Sequence, residues 1–458
     1  MKKLLLICHI FFGCTYTNLA QNTFEKTYGS IDFEEARSVK QTQDGGYILG
    51  GTNLVKVDSL GTEQWTKTYP SVFANTINQG YILINSNSNT ITFTKTNLNG
   101  DILWQTSYSQ GIWANHGNYI EQVEDGGYIV AGNFQSVTGS GMLLLKLDSL
   151  GNKLWQRTFS EPTSAAFSYG FSAQQTNDNG YIIAGFTYVN YYDSTRHKDV
   201  FVVKTDSLGN EQWRRYFGGA MDDLGSFVKQ DNQGNYFIAA TTSSYSSTAE
   251  SDMYLIKLDS IGDSLWTQAY GGNLEENTTG LWPTNDGGCI LVGQSNSFSN
   301  GDFNGYIVKT DENGDTLWTK NYGGTGIEAI NSVQQTADNG YVMAGYTSSI
   351  GAGDFDMLLL KSDSLGNYTF NTGIYENPNS ILKLDVFPNP NKGIFYVNSS
   401  LKISKIKIIN LLGKTKYSAI LNGKKVKINI NNEAKGIYFY KIYFGKNRIF
   451  ESGKIVLE

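Results

Sequence analysis

The sequence predicts an all-β chain: a seven-bladed β-propeller followed by a small Ig-like β-sandwich. Two repeats and one break predict it. The stretch "KTDSLGNEQW" at 204 recurs as "KVDSLGTEQW" at 56, "KTNLNGDILW" at 95, "KLDSLGNKLW" at 146, "KLDSIGDSLW" at 257, "KTDENGDTLW" at 309 and "KSDSLGNYTF" at 361. A second stretch, "TQDGGYILGGT" at 42, returns near 77, 123, 176, 231, 284 and 336. The break falls at Pro378, Pro388 and Pro390, half of the six prolines, where the charge also changes sign. A motif at fixed period is a structural unit before it is a chemical one.

Asp-Gly-Gly or Asp-Asn-Gly between apolar runs marks a hairpin, because these residues tolerate positive φ. "YLIKLDSIGDSLWTQAY" (254–270) reads as strand, turn and strand, bent at Asp-Ser-x-Gly. Each unit is therefore two hairpins, or four antiparallel strands. Its aromatic anchor falls at Trp65, Trp104, Trp155, Trp213, Trp266, Trp318 and Phe370, 39 to 58 residues apart. Four strands per unit of that length is the signature of a propeller blade. The anchor is expected to wedge between adjacent blades as a buried aromatic. One piece precedes the first unit: "FEKTYGS" at 24 copies the "WTKNYGG" tail at 318, which the seventh unit lacks. The N-terminal strand is expected to complete the last blade and close the ring, removing exposed sheet edges. The unit resembles the bacterial seven-bladed β-propeller repeat family, on "GYIIAG", "DVFVVKTDSLGNEQW" and the aromatic with "GG" that follows, over residues 24 to about 370. That resemblance implies the fold and, by itself, no activity.

With four up-and-down strands, both hairpin turns of a blade share one face. The within-blade and between-blade loops share the other. This second face varies: its within-blade loop is nearly absent at "GGTNLVK" and long at "FTYVNYYDSTRHKDVF" (186–201). It also gathers acids. Asp199, Asp252, Asp302, Asp354 and Asp356 precede third strands, and Glu34, Glu35, Asp222, Asp223, Glu275, Glu276 and Glu328 lie between blades. Those five aspartates with Tyr191 and Tyr192, near Tyr188 and Tyr245, form the candidate binding face. A hard cation such as Ca²⁺ gathers several oxygens, and exposed rings suit sugar faces. A plainer alternative is Asx-type capping of loop ends with solubilising charge, since the acidic position recurs like a structural element. The Asp of the ten-residue motif sits at a bend and reads as turn chemistry.

Enzyme signals are sparse. Past the leader, the histidines are His116 and His197, without metal-ligand spacing. There is no nucleophile elbow, phosphate loop or zinc motif. The Asp-x-Gly bends suggest a sialidase-like hydrolase, but Arg37, Arg157, Arg196, Arg214 and Arg215 form no repeat-equivalent trio. The expectation is a non-catalytic propeller without a cofactor, binding an unidentified extracellular glycan, protein or cation. A glycan-active hydrolase using paired carboxylates and a structural surface-layer component are the alternatives. The net charge of −6 divides unevenly. Residues 381–458 carry fifteen Lys or Arg against four acids, and residues 21–380 carry nineteen against thirty-eight. An acidic main body argues against nucleic acid as a partner. Lys2 and Lys3 followed by "LLLICHIFFGC" read as a secretory signal (1–20) cut after Ala20. The apolar run is too short for a transmembrane segment. A lipidated Cys14 within "FFGC" is the rival reading. Cys289 then remains alone, so no intramolecular disulfide forms.

The propeller is expected over 22–372, a linker over 373–385 and the second domain over 386–458. In that last stretch "KIKI" (405–408) and "VKINI" (426–430) alternate as half-buried strands do, and about seven short strands are expected. "VFPNPNKGIFYV" (386–397), "IKIINLLGK" (406–414), "AKGIYFYKI" (434–442) and "GKIVLE" (453–458) are similar to the type A C-terminal sorting domain of type IX secretion. Pro388, Asn389, Pro390, Gly393, Gly413, Gly436, Gly453 and Lys454 carry the resemblance. It implies export across the inner membrane by the signal and across the outer membrane by this domain, with the type IX machinery as partner. It also implies removal of the domain, often with attachment of the cargo to surface lipopolysaccharide.

Overall fold

The computed structural model describes residues 21–69, 73–77, 80–87, 89–109, 115–136, 139–160, 167–189, 196–248, 250–299, 302–368, 384–410, 414–444 and 449–458. The leader, Tyr191, Tyr192, Phe370, Gly413 and most of the linker lie outside the described residues. Seven four-stranded antiparallel sheets form a propeller. Blades 1 to 6 span 36–68, 73–109, 115–159, 168–217, 223–270 and 276–322. Blade 7 takes three strands from 328–362 and its fourth from Phe24–Tyr28, which pairs with Asp356–Ser362. The innermost strand is the first of each blade. Those of blades 7 and 1 pack together, so the ring is closed.

The middle strands have neighbours on both faces. Asp252–Leu258, Asn304–Thr310 and Asp356–Ser362 are buried along their whole length. This is why they read as continuous apolar runs, whereas outer strands such as Glu63–Thr68 and Thr316–Tyr322 alternate.

Each seam between blades uses one contact. The Trp of a fourth strand lies against the turn glycine of the next blade: Trp65 on Gly100, Trp104 on Gly151, Trp155 on Gly209, Trp213 on Gly262, Trp266 on Gly314 and Trp318 on Gly366. Each of these glycines has φ between 75° and 86° and no room for a Cβ, so turn and seam both require glycine. The Trp ring meets a Tyr of the next blade edge-on, for example Trp155–Tyr181 at 5.6 Å and Trp318–Tyr341 at 5.9 Å. In the closing seam Phe24 takes the Trp place, against Gly61 and 6.1 Å from Tyr47. The seventh anchor is therefore Phe24, supplied by the N-terminal strand. The indoles sit at the rim and are half-buried, which corrects the expectation of fully buried wedges. Cys289 replaces the seam Tyr of blade 6. It is buried, and burial pushes its thiol up to about 12.

The Lys and Asp of the two repeats join the two hairpins of one blade. Lys56, Lys146, Lys204, Lys309 and Lys361 are buried and reach Asp44, Asp125, Asp178, Asp286 and Asp338 at 2.7–2.9 Å. The Asp of the ten-residue motif caps its own turn. Asp206 Oδ1 accepts from the Leu208 and Asn210 amides at 2.9 and 2.8 Å, and Asp58, Asp148, Asp259, Asp311 and Asp363 do the same. Near the axis, side chains at the bulge of one inner strand bond the backbone of the next. Asn118 donates to the Gly170 carbonyl, Ser226 to Thr278, Thr279 to Ile330 and Asn331 to Ala36. The last of these crosses the closing seam.

The second domain is a small Ig-like sandwich with five strands among the described residues, against about seven expected. Ile394–Asn410 and Thr415–Asn429 are long, and irregular pairing between Asn398 and Lys405 breaks each into two halves. A core of Phe395, Val397, Ile406, Ile408, Ile442, Ile455 and Leu457 lies inside.

Phe24→Ala is expected to cost about 3 kcal/mol, and deletion of 21–30 to lower the melting temperature of the whole ring; urea and thermal unfolding check both. Trp155→Ala is expected to cost about 2 kcal/mol, less than full burial would give. Burial acts to raise the Asp44 pKa, but the Lys56 ammonium, Thr42 hydroxyl and Gly46 amide outweigh it and hold the group at about 2. The braces therefore contribute stability above the ordinary carboxylate range near pH 4, and lose it as pH falls toward 2. Asp44→Asn is expected to remove part of that acid-side loss in a pH-dependent unfolding series.

Candidate functional site: the variable loop face

Three within-blade loops on the variable face share one construction. In blades 5, 6 and 7 an exposed side chain closes the loop: Tyr245, Phe298 and Ile350, after "TSS", "SNS" and "TSS". Tyr245 is 50% exposed, stacks 5.2 Å from Tyr254 and donates to the Gly218 carbonyl at 2.7 Å. Phe298 is 40% exposed and lies 5.0 Å from Tyr306. At the closing seam Phe33, 53% exposed, lies 5.2 Å from Phe355. Each outer ring packs against a second, less exposed one, at 26° for Tyr245, 33° for Phe298 and 57° for Phe33.

Blade 4 adds a cluster. Its second and third strands, Tyr181–Val189 and His197–Thr205, run nine residues against seven in blades 5 to 7. Half-buried Phe186 lies 5.1 Å from Tyr169, 5.7 Å from Phe171 and 5.9 Å from Tyr188. Arg196 and Lys198 hold their charges 5.8 and 5.5 Å from the Tyr188 ring, and Lys198 also binds Asp222 at 2.7 Å. The signal for this cluster was present as alternation in "YGF" (169–171) and "FTY" (186–188), since residues two apart share a strand face.

The predicted acids divide. Asp302 and Asp354 are exposed. Asp199 is half-buried beside His197 at 3.5 Å. Asp252 and Asp356 are 5% and 2% exposed and lie inside seams, out of a ligand's reach. The between-blade acids Asp223, Glu276 and Glu328 are buried corner posts. Glu276 accepts from Ser295 Oγ at 2.6 Å, the Gly272 amide at 2.7 Å and the Ser297 amide at 3.2 Å; Glu328 repeats this with Thr347, Gly324 and Ser349. Among the described residues no group of three or more His, Cys, Asp or Glu side chains could hold a metal ion.

A cavity of about 730 Å³ opens at the opposite end of the axis, toward the hairpin turns. Its charges answer one another. Lys229 of blade 5 reaches across to Glu121 at 2.7 Å and Tyr119 at 2.9 Å in blade 3, and Lys40 of blade 1 lies 4.4 Å over the Trp282 ring of blade 6. Burial, with Lys229 nearby, pushes the Lys40 amine down to about 8. The channel is cross-braced between blades that do not touch in sequence order.

In the second domain the matched motifs converge. Asn389 Nδ2 donates to the Lys454 carbonyl at 2.7 Å, and the Val456 amide donates to Asn389 Oδ1 at 2.9 Å. The Asn391 and Glu458 backbones continue that pairing. Gly393 has φ 94°, and its amide donates to Asn391 Oδ1 at 2.7 Å. Gly436 has φ 150°, and Gly453 lies under the Tyr440 ring. Pro388 and Pro390 flank Asn389, and Lys454 is exposed. The first and last motifs are thus the two sides of one turn-to-strand junction.

Residues 385–458 match the family described as secretion system C-terminal sorting domain. This stretch is a sorting domain. It implies the type IX machinery and places the protein at the cell surface or outside the cell. No curated protein matches the chain. Solved structures similar to it include the Pan2 WD40 domain of Neurospora crassa, 12% identical over 75% of this chain and 96% of that one, with a TM-score of 0.48. A puromycin hydrolase is 10% identical over 80% of this chain and 58% of that one, TM-score 0.48. PorZ, a surface component of the type IX secretion system of Porphyromonas gingivalis, is 9% identical over 91% and 69%, TM-score 0.27. These values carry no argument about activity. Among the described residues no helix is long and apolar enough to cross a membrane.

Removing 384–458 is expected to leave the ring folded and to reduce its export to background. Cell fractionation with limited proteolysis of the retained chain reads both.

Proposed function

We propose that this is a secreted or surface-displayed, non-catalytic propeller that binds carbohydrate through its variable face. The aromatic plates Phe33, Tyr245 and Phe298, each backed by a second ring, carry the reading. Flat apolar rings at a wet surface suit the C–H faces of sugars, and loops displayed on a rigid ring are where binding residues concentrate. The Tyr169–Phe186–Tyr188 cluster extends the face. The exposed Asp302 places a carboxylate on the same face, where it can accept from sugar hydroxyls.

A glycan array probed with the full chain is expected to show binding that Tyr245→Ala and Phe298→Ala each weaken about tenfold, the equivalent of one stacking contact, while the ring stays folded. Absence of any glycan binding by the wild-type chain overturns the reading.

A further inference from the structure

The seams between blades 5 and 6 and between blades 7 and 1 each bury two carboxyl groups side by side. Asp252, first residue of its strand, faces Glu276, first residue of the next blade's inner strand. Asp356 faces Glu34 in the same way. Gly271 and Gly29, from the Tyr-Gly tails, lie between the partners, and a Cβ at either would collide with the Asp oxygen. Asp252 Oδ1 and Glu34 Oε2 are buried without a hydrogen-bond partner.

The surrounding donors are already committed. Glu276 is saturated by Ser295, Ser297 and Gly272, and Ser246 and Ser247 serve Asp252. The Gly353 amide serves Asp356 at 3.1 Å, and Ser30 serves Glu34. Tyr306 is the further titratable group beside the first pair. Among the described residues no Lys, Arg or His forms an ion pair with any of the four carboxyls. Neighbouring buried carboxylates, each flanking the same glycine, disfavour full ionisation of both. The seam between blades 6 and 7 shows how this is avoided: the Asp position holds Asn304, which faces Glu328 across Gly323. Asn is the neutral isostere of a protonated Asp. Between blades 4 and 5, where Asp199 faces Asp223 across Gly218, His197 stands next to Asp199.

We propose that the pairs Asp252–Glu276 and Asp356–Glu34 each hold one shared proton in the folded ring, so that two seams beneath the variable face are tighter in mild acid than at neutral pH. Burial first, with Glu34 adding to it, raises Asp356 to about 6, and burial with Glu276 raises Asp252. Asp356 therefore contributes stability that is complete below the unfolded value near 4 and lost as pH climbs through about 6, and raised Asp252 acts with the same sign. This is opposite in sign to the Lys–Asp braces.

The test is urea unfolding of the full chain from pH 4.5 to 7.5, with infrared detection of protonated carboxyl groups at pH 5. The D252N/D356N variant is expected to flatten the fall in midpoint between pH 5 and 7, to match or exceed wild type at pH 7.5, and to lose infrared intensity. Asn304→Asp is expected to steepen the same fall, which keeps the test decisive if the double variant does not fold. An unchanged pH dependence in both variants overturns the proposal. So does stabilisation of the wild type by added Ca²⁺ at pH 7.5 that D252N/D356N lacks, which would mean a cation holds the pairs.

Discussion

A blade of this ring is a four-stranded sheet whose two middle strands are apolar on both faces. Such a sheet has no stable existence facing water, because either face left open exposes a whole row of Val, Ile, Leu or Tyr. The seam between blades is therefore the constraint from which the rest follows. It explains why the turn must end in glycine, why an indole sits at each rim, and why the tail after the indole carries a Tyr. Tyr270 and Tyr28 donate to the Gly314 and Gly61 carbonyls at 2.7 and 2.6 Å, tying one blade's outer strand to the next blade's turn. It also explains the borrowed N-terminal strand. A linear stack would leave two unsatisfied faces, and Phe24 in the Trp position makes the last seam equivalent to the other six.

Much of this was legible because repetition amplifies weak signals. One Asp-Gly-Gly is only a turn, but three of them, with two Asp-Asn-Gly and two degenerate copies along the chain, give blade number and strand order. Closure was legible from one orphan copy of the tail. The Lys–Asp brace was not, although both residues stood in the repeats, because periodicity gives spacing along the chain and not which side chains meet across a hairpin. The closing-seam anchor, Phe24, was hidden for a related reason: the sequence order of the repeat differs from the spatial order of the blade by one strand. In the second domain the motifs were visible, yet their purpose was not. Asn389 and Lys454 are far apart in sequence and adjacent in the sheet.

The candidate face was partly legible. Loop lengths identified it, and the exposed rings at Tyr245 and Phe298 follow the shared loop construction. Counting acids there was less informative than it looked. A charged letter in a loop string does not distinguish a solvated carboxylate from one that terminates a strand. Asp223, Glu276 and Glu328 belong to the second kind: each gathers hydroxyl and amide donors and fixes where the inner strand begins.

The two roles of the face then support each other. A binding surface built on loops needs rigid feet, and these loops stand on the buried corner acids. Ser244, Ser297 and Ser349 each bond the corner acid directly, and the exposed Tyr245, Phe298 or Ile350 follows at once in the chain. An acid that looks like part of the ligand site is in this way the support that aims the ring beside it. In blades 5 to 7 acidity and side-chain display thus share one origin: the buried acid at the foot of the loop gathers the hydroxyl and amide donors that the loop would otherwise leave unpaired.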